Sequence, residues 1–132
     1  KLRDELGMAI MFVTHDIGVA VEVADKMAVM YAGRFVETGS VADVFSNPAH
    51  HYTHGLMAST VKRANKGQRL LAIDGSPPDL AELPPGCAFA PRCRAADATC
   101  RATQPPDCTI ETGHKAACHN PLAAAGLVAA DR

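Results

Sequence analysis

The chain has 132 residues, 48% of them hydrophobic and 20% charged, with a formal net charge of -1. That balance suits a soluble globular domain. With Trp absent and aromatics at 5%, it offers neither a basic surface nor a stacking platform for nucleic acid.

The segment Lys1 to Leu6 reads as the last turns of a helix closed by Gly7, a glycine being the usual residue past a helix end. The reading therefore expects the C-terminal part of something longer. Met8 to Thr14 is a short apolar run without alternation, which predicts a parallel strand buried on both faces. His15 and Asp16 follow, then a helix over 17–26 with Ile17, Ala20, Val21 and Ala24 on one face and Asp16 or Thr14 as its cap. Met27 to Tyr31 predicts a second strand. Ala32-Gly33 makes a tight turn, and Arg34 to Thr38 is the antiparallel partner.

Ser40 caps a helical stretch to Phe45 that Asn47-Pro48 stops, and another helix spans Tyr52 to Ser59. Lys62, Arg63, Lys66 and Arg69 mark a solvated linker over 61–72. From Ile73 the composition shifts: Pro77-Pro78, Pro84-Pro85, Pro91 and Pro105-Pro106 leave little room for helices or long strands. Residues 121–132 read as a disordered Ala-rich tail. The expected fold is thus α/β over 1–60, with parallel strands, helices and an antiparallel hairpin. A small proline-rich unit over 73–120 then follows, too poor in core to stand without a staple.

Four cysteines in that unit, Cys87, Cys93, Cys100 and Cys118, are spaced C-x5-C-x6-C-x17-C. Four thiols in so short and loop-like a stretch close disulfides or hold a metal. The fifth, Cys108, makes the count odd and weakens a disulfide framework, as does the expected reducing compartment. Cys108 reads as a spare thiol on a loop, able to substitute for Cys118. His114 and His119 flank Cys118, and zinc accepts either as a ligand.

Met11 to Asp16, Glu22 to Gly33 and Glu37 to Gly39 together resemble the end of an ABC-transporter ATPase. The run Asn47-Pro48-Ala49-His50-His51-Tyr52-Thr53 narrows the resemblance to oligopeptide/dipeptide importer ATPases, as do Gly75-Ser76-Pro77-Pro78, the stretch Gly86 to Cys93, and Gly113 to His119. His51 stands where that family usually has Pro, a departure expected to loosen the helix start. The resemblance implies that His15 is the switch histidine contacting the γ-phosphate of ATP, where an imidazole donates to developing charge. It also implies that Cys87, Cys93, Cys100 and Cys118 ligate a [4Fe–4S] cluster. Loops of five and six residues suit that wide grip better than a zinc hook, although zinc remains the alternative.

Further implications of the resemblance are ATP and Mg as cofactors of the parent and a second ATPase subunit as partner. Transmembrane permease subunits are also implied, on the cytoplasmic face of a bacterial inner membrane, with no direct peptide contact. The phosphate-cradling P-loop, the signature motif and the acidic Walker B strand are all missing from these 132 residues. These residues by themselves are therefore not expected to hydrolyse ATP. The competing reading is a stand-alone iron–sulfur or zinc module that regulates or contacts a partner and keeps a vestigial α/β stub.

Overall fold

A two-residue turn with both central φ angles positive brings two strands together with the twist that strands prefer. Ala32 (φ 49) and Gly33 (φ 77) make that turn in the computed structural model, which describes residues 5–59 and 72–122. They join β1 (Lys26–Tyr31) to β2 (Arg34–Ser40) in antiparallel register, with a bulge between Val29 and Met30. Before the hairpin lies α1 (Ile17–Val23), capped by Asp16, whose carboxylate accepts the Val19 N–H. After it comes α2 (Val41–Ser46), capped by Ser40 as its sequence predicts, and then α3 (His51–Ser59). Gly7 takes φ 61 at the end of a helical turn, again as expected.

The proline-rich part contributes more regular structure than its composition predicts. A 3-10 turn spans Ala90–Arg92, α4 spans Ala98–Ala102, and β3 (Asp107–Glu111) pairs with β4 (His114–Ala117). Cys108 accordingly lies on a strand, not on a loop. β4 also pairs with β2, giving one four-stranded sheet in the order β1-β2-β4-β3. The two sequence units therefore share a sheet. β2 would otherwise present an unpaired edge, and β4 covers it.

Every pairing in this sheet is antiparallel; the mix of helices and strands is consistent with the expected α/β class, and parallel pairing is not seen among the described residues. The run 8–14 forms no strand, and Ile10, Met11, Phe12 and Val13 are exposed. A strand buried on both faces needs hydrogen-bonding neighbours and a covering layer on each side. The described residues supply neither for this run. The fold is a mix of short helices and an antiparallel sheet. The linker and tail assigned from sequence fall almost wholly outside the described residues.

The core gathers Val29, Tyr31, Val36, Val44 and Phe89. Phe89 is the pivot: its ring stands 5.3 Å edge-on to Tyr31 and 5.4 Å from Tyr52, arrangements that add to simple burial. Cys87 and Cys93 pack against the same cluster. The cysteine-bearing loop is thereby seated on the hairpin's own core.

Candidate functional site

Gly86 is buried, and a side chain there would run into the Cys100 carbonyl and the Arg101 backbone. Only glycine permits this approach, and it lets the Cys87 N–H donate to the Cys100 carbonyl at 2.8 Å. Next, the chain turns tightly: the Ala90 N–H donates to the Cys87 carbonyl and the Cys93 N–H to the Ala90 carbonyl, across the 3-10 segment that Pro91 stiffens. Asp97 caps α4 and accepts the N–H of Cys100 at 2.8 Å. It also accepts from Asn120, which holds its carboxyl down at about 2. These local devices bring Cys87, Cys93, Cys100 and Cys118 onto one pocket, together with His50, His51 and His119.

Cys108 is not among the residues lining that pocket. Its thiol donates to the Cys118 carbonyl at 3.4 Å. His114 is turned elsewhere, and the His119 ring bonds the Thr103 carbonyl at 3.0 Å. Among the described residues no three His, Cys, Asp or Glu side chains stand in the geometry of a single-ion site. Burial pushes the thiols of Cys87 and Cys93 up, and that of Cys118 up to about 11. Such thiols are poor nucleophiles at neutral pH, and a bound cation is what would draw off their protons.

Arg92 is not among the residues lining that pocket. Its guanidinium donates to the carbonyls of Ile73 and Asp74 and to the Tyr31 hydroxyl. Arg94 is exposed and, among the described residues, pairs with exposed Asp74, a contact of little energetic weight.

The feature the sequence reading does not single out is Glu37. It sits on β2 and is 1% exposed. One carboxylate oxygen accepts the Ala49 N–H at 2.7 Å and the His114 ring at 2.7 Å, and the other accepts the His50 N–H at 2.9 Å. Glu37 thus ties β2, the start of α3 and β4 to one point. The only sequence signal is an acid one position from a buried valine in a short strand, which by itself reads as a solvent-facing residue.

His50 is also 1% exposed. The Tyr52 N–H donates to its Nδ1 at 3.0 Å, so in the neutral ring the proton sits on Nε2. That Nε2 is buried and has no partner among the described residues. An orphan of this kind costs about 1–3 kcal/mol, which marks a place where something else belongs. Burial lowers the pKa of His50 to about 4, against an opposing pull from Glu37 and aided by His51. His51 is the first residue of α3, and its Nε2 donates to the Asn120 carbonyl at 2.8 Å. The Leu122 N–H bonds the Ala49 carbonyl close by.

His15 stands apart from this pocket. It is exposed at the bend before α1, where Thr14 and Asp16 shape the turn and its own ring bonds no described residue.

Residues 36–100 match the model of the oligopeptide/dipeptide transporter, C-terminal region. Residues 36–100 are thus similar to the C-terminal region of that family. The matched stretch of that family holds Glu37, His50 and three of the four pocket cysteines, with Cys118 beyond it. A protein of Brucella ovis named as a peptide import ATP-binding protein is 46% identical over 124 residues, covering 89% of this chain and 37% of its own. A peptide ABC transporter ATP-binding protein of Sinorhizobium fredii is 47% identical over 118 residues, covering 89% and 35%. The oligopeptide transport ATP-binding protein OppD of Mycobacterium tuberculosis is 43% identical over 130 residues, covering 98% of this chain and 21% of its own. The chain thus spans about a third or less of the length of the curated relatives it matches. No helix among the described residues is long and apolar enough to cross a membrane.

The buried His50 generates a pH prediction. Unfolded, it takes a proton near pH 6.5; folded, it resists to about 4. The unfolded state binds more protons across that window, so stability falls as pH drops through it. The expected loss is roughly 3 kcal/mol, from 1.36 kcal/mol per pKa unit. Urea melts at pH 7, 5.5 and 4 check this: His50→Gln should flatten the slope, and an unchanged slope assigns it to other groups.

Proposed function

We propose that this chain is the C-terminal portion of the ATP-hydrolysing subunit of an importer for peptides or a related small solute. The observation that carries the reading is the 43–47% identity to ATP-binding proteins of peptide transport across nearly the whole chain. Residues 1–60 would complete the nucleotide-binding domain, and residues 73–120 would form the family's extension. ATP and Mg would be held largely by elements beyond these residues. The proposed partners are a second ATPase subunit and membrane-embedded permease subunits, with this subunit peripheral on the cytoplasmic face.

In this reading His15 donates a ring N–H to the γ-phosphate as the attacking water engages it. Its exposure at the C-terminal end of the run 8–14, just ahead of α1, leaves the imidazole free to meet a nucleotide. Stabilising charge that develops in the transition state is what such a donor contributes.

Cys87, Cys93, Cys100 and Cys118 would hold a [4Fe–4S] cluster. Two observations support the fit: four soft thiol donors line one pocket, and a buried ring N–H at that pocket lacks an acceptor. When bound, the group supplies a covalent cross-link between the 87–93 turn, α4 and the end of β4. Asp97 and Asn120 position the Cys100 arm, and Gly86 keeps it close to Cys87.

In the complete subunit, His15→Ala should lower ATP hydrolysis by about 10²–10³ while ATP binding is retained. Steady-state turnover beside nucleotide binding checks this, and unchanged turnover would remove the assignment. For the thiols, protein purified without oxygen should carry about four irons and four acid-labile sulfides. Cys87→Ser should lose them and Cys108→Ser should keep them. One zinc without iron would replace the cluster by a structural ion, and equal loss from both variants would show the ligand set to be wrong.

A further inference from the structure

Of the pocket's side chains, His50 alone among the described residues combines near-complete burial with a polar atom that has no partner. Its ring is fixed from three sides. The backbone N–H is held by Glu37, Nδ1 accepts from Tyr52, and Phe89 packs at 5.9 Å between centroids. With Nδ1 committed as an acceptor, Nε2 carries the proton and presents an N–H, so it is not available as a metal ligand. Arg92, next to Cys93, is spent on the Ile73 and Asp74 carbonyls. The Arg92 guanidinium is thereby not free to answer the negative charge that four thiolates and bridging sulfides would bring.

We propose that the Nε2–H of His50 is a built-in hydrogen-bond donor to sulfur of the cysteine-bound centre and sets its redox potential. This rests on the metal reading above and adds to it a residue outside the ligand set. Sulfide and thiolate are anionic acceptors, and a donor to them favours the more negative, reduced state. The potential is therefore raised by the donor and falls without it. His50 acts through the ligands, as a positioning and tuning residue.

The test compares the full chain as wild type, His50→Phe and His50→Gln, each loaded with ferrous iron and sulfide under anaerobic conditions. Iron and sulfide content is measured first, then the midpoint potential by a titration followed in the visible spectrum. Phe keeps the ring's bulk and removes the donor; Gln places an amide N–H where Nε2 stands. At equal loading, His50→Phe should shift the reduction equilibrium about tenfold toward the oxidised form, about 59 mV for one electron. His50→Gln should lie near wild type. Equal potentials in all three overturn the proposal. Poor loading in both variants alike also overturns it, because a donor role predicts rescue by Gln. Should the wild type take zinc and no iron, the cluster reading fails separately. The cobalt-substituted proteins then decide the donor: a thiolate-to-cobalt band moved to lower energy in His50→Phe and restored in His50→Gln supports it, and identical bands overturn it.

Discussion

The carboxylate of Glu37 is the constraint on which this structure turns. It is almost wholly buried, and a buried charge is tolerated only when its lone pairs are answered. Here three donors do so, two from the backbone at residues 49 and 50 and one from the ring of His114 far along the chain. An energetic demand at one atom group therefore fixes three segments. β2 supplies the acid, the entry to α3 turns its free N–H groups toward it, and β4 docks where the imidazole can reach. Such a pair is weak evidence for added stability but strong evidence for a specified arrangement, since removing one partner strands the other.

The cysteine pocket inherits its shape from that arrangement. Glu37 holds the His50 amide, and the His50 ring borders the pocket. His114 opens β4, and Cys118 follows the end of that strand. The remaining thiols are placed by a second set of contacts that owes nothing to charge. Phe89 plants the 87–93 turn on the aromatic core, while Gly86 lets the 100–101 backbone come close. A segment with so many prolines cannot build a core of its own. It uses the hairpin's core and the hairpin's open edge instead.

Local signals in the sequence were legible where local physics decides the outcome. The Ala32-Gly33 turn, the Ser40 and Asp16 caps and the Gly7 helix end all stand as composition suggests. Convergence of Cys87, Cys93, Cys100 and Cys118 was legible from their spacing and from family resemblance. What failed is what depends on neighbours. The run 8–14 has a buried strand's composition, but strand formation needs partners that the described residues do not provide. Glu37 was invisible because a glutamate in a short strand is usually solvated; only the distant His114 makes it a core residue. The partner of His51 is equally out of reach of local reading, being the carbonyl of Asn120, 69 residues away.

The central claim is that one buried carboxylate couples the hairpin to the cysteine-bearing segment, and amide hydrogen exchange in wild type and Glu37→Gln tests it most directly. Gln keeps the shape and loses one acceptor and the charge. The account predicts faster exchange, on the order of a hundredfold for about 3 kcal/mol, at the Ala49 and His50 amides and also at Leu122 and Cys87. The latter two amides bond the Ala49 and Cys100 carbonyls and do not touch Glu37. Acceleration confined to Ala49 and His50, with Leu122 and Cys87 as protected as before, would contradict the coupling.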